Sequence, residues 1–279
     1  MASRLLPGHR ALRYDGRTVL VTGASSGIGA GLAEAFADRG ADLVLVARRG
    51  DVLASLAAAL RARFGVRVEV LAIDLTAPEA GRTVRDRLAE LGRDVDVLVN
   101  NAGFAVQGPV AETEDVDRLT AQITLNCTAL VDLTARLLPD MVARGSGTVV
   151  NVSSVAAFQP VPGLAVYGAT KAFVLAFTEA LWAENRRHGV RVLAVCPGPT
   201  ETPFFDVAGE DAVGALPRRS VDQVVATTIR ALEGNAPVAV DGLLYRALTV
   251  TTRLVPRRVL TMVAGAITST PHPRARTEA

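Results

Sequence analysis

The chain has few lysines, histidines, cysteines and aromatic residues, and each shortage narrows what it can be. Of 30 basic residues only Lys171 is a lysine; the other 29 are arginine. Whatever that lone ammonium does is a task that a planar, permanently charged guanidinium does not perform. The two cysteines, Cys127 and Cys196, stand far apart in apolar surroundings. They offer neither a disulfide framework nor a CxxC metal site, which suits a reducing compartment. The three histidines, His9, His188 and His272, fall in an N-terminal segment, at a helix end and in a C-terminal tail. This argues against a zinc enzyme or a histidine-dependent hydrolase, and no metal is expected. A formal net charge of +2 is too balanced for a nucleic-acid partner. No apolar run is long enough for a transmembrane segment, and residues 1–14 lack the apolar stretch of a signal peptide. The expected location is cytoplasmic.

What the chain does have is length and aliphatic mass. Its 279 residues are 49% hydrophobic but only 4% aromatic, so Ala, Val and Leu build the core, and wholesale disorder is excluded. Short apolar runs at 18–22, 42–47, 67–73, 96–100, 148–152, 191–196 and 237–240 read as strands. Helical patterns stand between them: from the first Gly-rich turn to about Arg39, then 51–64, 76–91, 116–144, 167–188 and 220–233. Asp51 is a candidate cap, Thr76 to Glu79 and Ser220 to Gln223 have capping-box spacing, and the 116–144 helix is expected to bend before Pro139.

Continuously apolar strands alternating with amphipathic helices indicate an α/β fold: one doubly wound domain on a seven-stranded parallel sheet. A (β/α)₈ barrel would need a further unit. Four segments are expected: an N-terminal segment 1–16, the domain at 17–242, a C-terminal helical extension at 243–268, and a disordered tail at 269–279.

The first strand runs into TGASSGIG at 22–29, and a helix follows at once. Gly23, Gly27 and Gly29 allow a sharp turn and a close approach to a pyrophosphate at a helix N-terminus, so a dinucleotide site is favoured over a simple glycine turn. Arg48 and Arg49 follow the second strand, where an acidic residue would select the adenine ribose hydroxyl. Arginine suits a 2′-phosphate instead, and NADP is favoured over NAD; the alternative is two solvated loop arginines. Asp74 ends the third strand, as an acceptor for the adenine amino group or as a helix cap. NNAG at 100–103 ends the fourth, where side-chain amides can stitch strands and Gly103 can pass close to a cofactor; the alternative is an Asn-Gly turn.

Tyr167 and Lys171 lie four residues apart, on one helical face. A neighbouring ammonium is expected to pull the phenol below its free value of about 10, making Tyr167 a general acid or base. Ser154 closes the fifth strand, 13 positions earlier. Ser153 competes for its role, and the spacing favours Ser154.

Together TGASSGIG, NNAG, the Ser154–Tyr167–Lys171 set and Pro197-Gly198 resemble the short-chain dehydrogenase/reductase family in its short-form branch, over about residues 17–240. The resemblance implies a Rossmann-type domain, a nicotinamide cofactor and a catalytic tetrad of Asn126, Ser154, Tyr167 and Lys171. In it Asn126 would hold a relay water, Ser154 the substrate oxygen, and Lys171 the nicotinamide ribose. The implied NADP(H) contacts are Gly23, Ser25, Ser26, Gly27, Ile28, Gly29, Arg48, Arg49, Asp74, Leu75, Asn101, Ala102, Gly103, Tyr167, Lys171, Pro197, Gly198, Thr200 and Thr202. Thr200 would grip the nicotinamide amide.

Residues 104–106, 155–164 and 201–217, the last with Phe204 and Phe205 and a mobile-lid character from Gly209 and Gly214, are the expected substrate lining. They suit a small hydrophobic carbonyl substrate, although several of the aromatics could equally be core. A homodimer or homotetramer paired through the two long helices is implied. The 243–268 extension would cover the mouth, join an interface, or lie on a membrane surface. The competing functions are an NADP(H)-binding redox sensor without turnover, and a dehydratase or epimerase, whose usual large C-terminal substrate domain this chain lacks.

Overall fold

The structure is a computed structural model that describes residues 14–204, 217–234, 236–252 and 254–268, with no side-chain detail at 267 and 268. Residues 1–13, the tail 269–279 and Phe205 therefore lie outside the described residues, as does most of the expected lid.

Strands β1 (Thr18–Thr22), β2 (Asp42–Ala47), β3 (Val68–Ala72), β4 (Val97–Asn100), β5 (Gly147–Val152), β6 (Val190–Cys196) and β7 (Val238–Val240) form one sheet in the order β3-β2-β1-β4-β5-β6-β7. Every pairing is parallel. Around it stand α1 (Gly27–Ala37), α2 (Gly50–Phe64), α3 (Ala80–Glu90), α4 (Val116–Ile123), α5 (Ala129–Ala143), α6 (Ala165–Asn185), α7 (Val221–Gly234), α8 (Leu243–Thr251) and α9 (Arg257–Thr268). The strands read as continuous apolar runs because both sheet faces are covered. Val19 and Val21 join a core with Leu32, Phe36 and Val224 from α1 and α7. Leu20, between them, joins the opposite core with Val84, Leu133 and Leu181 from α3, α5 and α6. After β3 the chain crosses to the other side of β1, so the C-terminal ends of β1 and β4 flank the switch point where such sheets bind ligands.

Several local expectations are corrected. The long helix is not broken at Pro139, which sits inside α5 one turn from its end, next to buried Met141. The interruption comes earlier, as a π-turn at Thr124–Thr128 in which the Ala129 amide reaches back to the Thr124 carbonyl. Thr76 and Glu79 form no capping box: Thr76 N and Oγ1 both donate to Asp74 Oδ1 at 2.9 and 2.8 Å, and the helix starts only at Ala80. Asp51 lies within the first turn of α2 and favours the helix dipole there without capping it. The Ser220–Gln223 box forms reciprocally, Ser220 N to Gln223 Oε1 at 3.0 Å and Gln223 N to Ser220 Oγ at 3.2 Å. The extension is two helices: α8 ends at Thr251, and Pro256 stands immediately before α9, where a proline suits a helix start.

Candidate active site

The glycine turn is locked to the end of β4 by hydrogen bonds. Thr22 Oγ1 accepts from the amides of Asn101 and Ala102, both at 3.0 Å, and donates to Val99 O. Asn101 Nδ2 donates back to Thr22 O and Gly23 O at 2.9 and 3.2 Å. The packing leaves no room for a side chain at Gly29: a Cβ there would stand 2.4 Å from Gly23 O and 2.5 Å from Asn101 Nδ2. Gly23, with φ +63°, needs the left-handed region as well. The first turn of α1 carries no acidic residue and its N-cap, Ser26, makes no side-chain cap. The amides at that helix start therefore face the cleft unopposed, a donor set suited to a diphosphate.

At the adenine end, Arg49 Nη2 donates to Ser25 Oγ and Ser26 Oγ at 2.9 and 3.1 Å, laying a guanidinium against the glycine loop. Arg48, also exposed, acts instead on Asp74. Partial burial raises the Asp74 carboxyl, but the two Thr76 bonds and Arg48 outweigh it and hold the group below the usual range. Asp74 is thus occupied on one oxygen by its own turn, while Leu75 and Ile73 line the cleft beside it. Further along, strand ends are stitched as the Asn pair suggested. Asn100 Nδ2 donates to Asn151 Oδ1 at 2.9 Å and Asn151 Nδ2 to Thr178 Oγ1 at 2.9 Å.

The tetrad residues meet at the C-terminal end of β5. Ser154 Oγ accepts from the Ala156 amide at 3.1 Å and stands near enough to the Tyr167 hydroxyl to lower that phenol. Ser153 Oγ instead donates to the Lys171 carbonyl at 2.8 Å, so the two adjacent serines divide into a site residue and a backbone anchor. Lys171 Nζ donates to Val152 O at 2.8 Å and lies 5.7 Å from the Tyr167 ring centre. Asn126 stands in the π-turn, which aims its amide across the site rather than along the helix. That amide is engaged on both sides: Oδ1 accepts from Phe104 N, and Nδ2 donates to Phe104 O and Thr170 Oγ1, each at 3.1 Å.

One electrostatic expectation is reversed. Burial pushes the Tyr167 phenol up to about 12, and Ser154 lowers it only in part. Burial also brings the Lys171 ammonium down to about 8, against a smaller upward pull from the thiols of Cys127 and Cys196. The lysine loses its charge before the phenol titrates, so it does not draw the phenol towards neutrality. At pH 7 the pair is a neutral phenol beside an ammonium.

The cleft holds about 960 Å³. Gly103 lies where a Cβ would be 2.9 Å from Asn126 Oδ1 and 3.6 Å from Lys171 Nζ. Thr200 Oγ1 donates to Gly198 O at 2.9 Å, and the Thr202 methyl packs over Gly27. Around Tyr167 the walls are apolar: Val161, Leu164 and Ala105 cluster there, with the Phe204 ring centre 5.6 Å from that of Tyr167. Of the expected substrate lining, Phe104, Phe158, Val161, Leu164 and Phe204 face the cleft; Ala105 is buried behind it.

Covering the mouth was one of the placements expected of the extension, but the sequence named none of its lining residues. Tyr245, Leu248, Thr249, Thr252 and Ala264 all line the cleft. Tyr245 packs its ring where a Gly198 Cβ would be 2.5 Å away, and its hydroxyl donates to Pro217 O at 2.6 Å. Thr22 and Thr170 were also overlooked. Thr22 sits in the quoted motif, and Thr170 follows Tyr167 by one helical turn.

Comparison with known proteins agrees with this geometry. The family model for short chain dehydrogenase matches residues 17–212. Sulfoacetaldehyde reductase 2 of Chromohalobacter salexigens is 43% identical over 202 residues, covering 70% of this chain and 79% of its own. A short-chain dehydrogenase from Sphingobium yanoikuyae in complex with NADPH superposes with a TM-score of 0.77 at 38% identity, over 94% of this chain and 99% of that one. The bulky-bulky ketone specific alcohol dehydrogenase of Comamonas testosteroni gives 0.72 at 32% identity, over 86% and 95%. With the sheet order, the glycine turn and the Ser154–Tyr167–Lys171 geometry, these matches establish that the chain belongs to the short-chain dehydrogenase family of oxidoreductases.

Proposed function

We propose that the chain is an NADPH-dependent reductase of hydrophobic ketones, interconverting them with secondary alcohols. The observation that carries the reading is the neutral Tyr167 phenol, beside Ser154 at the apolar end of a cleft whose other end is the glycine turn. The residues present fit a dinucleotide: the α1 amides for its diphosphate, Asn101 to Gly103 and Pro197 to Thr202 along its length, Arg48 and Arg49 for a 2′-phosphate. When bound, such a cofactor supplies the hydride that goes to the carbonyl carbon.

The chain's own residues manage the oxygen. Ser154 Oγ orients it, and Tyr167 donates its proton to it as charge builds there. A phenol that burial keeps protonated is ready to donate. The phenolate left behind faces the Lys171 ammonium, whose charge is present below about pH 8 and stabilises it. Asn126 is a positioning residue, tying the Phe104 strand-end loop to Thr170 on α6. The wide apolar walls favour a bulky ketone, a reading supported by the likeness to the Comamonas testosteroni enzyme. Residues 17–242 act as one catalytic domain in this reading. Association of copies through the long helices is supported by Val116 and Ile123 on α4 and Phe173 on α6, which stand exposed. We place the enzyme in the cytoplasm, in keeping with its free cysteines.

A ketone panel assayed by NADPH consumption tests the function. Turnover of aryl or alicyclic ketones supports it. Tight NADPH binding with no turnover across the panel would leave the sensor reading in its place.

A further inference from the structure

The extension that roofs the cleft has a second face. On α8 and the turn after it, Leu243, Ala247, Val250 and Leu254 recur at helical spacing and are exposed, Leu254 at 80%. On α9, Val259, Met262, Val263 and Ala266 form an i, i+3, i+4, i+7 stripe, also exposed, Met262 at 69%. The opposite side of the same helices is turned to the protein, with Tyr245, Thr249 and Ala264 buried.

Charge on this segment is one-sided. Residues 243–268 carry Arg246, Arg253, Arg257 and Arg258 and no Asp or Glu. Residues 14–242, by contrast, hold 27 acidic and 21 basic side chains. Arg246, Arg257 and Arg258 are exposed, and no ion pair holds them among the described residues. A two-fold contact of this face with its own copy would set arginines against arginines with no acid between them, which opposes self-pairing. An apolar stripe flanked by unpaired arginines is complementary to a surface that is at once greasy and anionic.

We infer that residues 243–268 form a membrane-surface docking face, which binds anionic phospholipid by laying the apolar stripes of α8 and α9 among the acyl chains and the arginines among the phosphates. The helices lie on the bilayer and do not cross it: no helix among the described residues is long and apolar enough to span a membrane. Because Leu248, Thr252 and Ala264 line the cleft from the same two helices, docking sets the roof of the substrate cavity against the lipid. The inference stands apart from the proposed reaction, since it rests on surface residues that the cleft does not use.

The test is sedimentation of the full chain with sucrose-loaded vesicles, of phosphatidylcholine alone or of equal parts phosphatidylglycerol and phosphatidylcholine. The full chain should pellet with the anionic vesicles and stay in solution with the neutral ones, and added salt should release it. Arg257→Glu with Arg258→Glu, and separately Met262→Glu with Val263→Glu, should each weaken binding by about tenfold or more, with unchanged melting temperature and unchanged NADPH affinity. No binding to anionic vesicles overturns the inference, as does binding that these variants leave intact. So does a dimer, seen by size-exclusion chromatography, that the same substitutions dissolve; that result would assign the face to protein contact.

Discussion

Replacing Lys171 by methionine should destroy activity and stabilise the protein. The ammonium is held in a buried site, where its value falls from 10.5 to about 8, a difference worth about 3 kcal/mol against folding at neutral pH. Methionine has a similar length and no charge, so it removes that strain. The loss of the Nζ bond to Val152 O at 2.8 Å returns about 1 kcal/mol. The net gain is about 2 kcal/mol, on the order of 4 °C in melting temperature for a chain of this size. The effect has a definite pH dependence. Between about 8 and 10.5 the unfolded chain binds a proton that the native one does not. The gain is therefore complete below pH 8, shrinks as the pH climbs, crosses zero between about pH 9 and 10, and near 10.5 becomes a deficit of about 1 kcal/mol, the lost bond alone. Calorimetry of the cofactor-free wild type and variant from pH 6 to pH 10.5 measures it. A variant less stable than wild type at pH 7, or a gain that ignores pH, would refute the claim that burial depresses this lysine.

Further substitutions separate the roles assigned around the cleft. Ser154→Ala should lower kcat on the order of a hundredfold. Ser153→Ala, which loses a bond to the Lys171 carbonyl, should lower stability by about 1 kcal/mol with a far smaller effect on kcat. Arg48→Asp should shift the kcat/KM ratio from NADPH towards NADH by about tenfold or more; a wild type that already prefers NADH would contradict the reading of that loop. Gly29→Ala forces a Cβ to within 2.4 Å of Gly23 O and should weaken NADPH binding by about tenfold or more, read by fluorescence titration.

The sheet was legible in the sequence because its strands are buried on both sides. Runs such as 42–47 need no partner information to be recognised, and the glycine turn could be placed at the end of β1 because a helix follows without a break. Reciprocal capping at Ser220 and Gln223 was legible because both residues act within one turn. The failures share a different origin. Thr76 had the spacing of a cap, but Asp74, two residues back, captured its hydroxyl and amide. The π-turn around Asn126 adds one residue to a helical turn, a change with no compositional mark. Spacing brought Tyr167 and Lys171 to one face but did not report the dielectric there, and burial, acting on both groups, reversed the expected shift. Tyr245 was missed because its partners, Gly198 and Pro217, come from distant parts of the chain.

The central claim is that the Tyr167 hydroxyl delivers the proton to the reduced oxygen. Tyr167→Phe keeps the ring against Phe204 and removes only that hydroxyl, so single-turnover reduction of a ketone by the NADPH-loaded variant isolates the step. A rate about a thousandfold lower is expected, with NADPH affinity within about twofold of wild type. Reduction at the wild-type rate would contradict it.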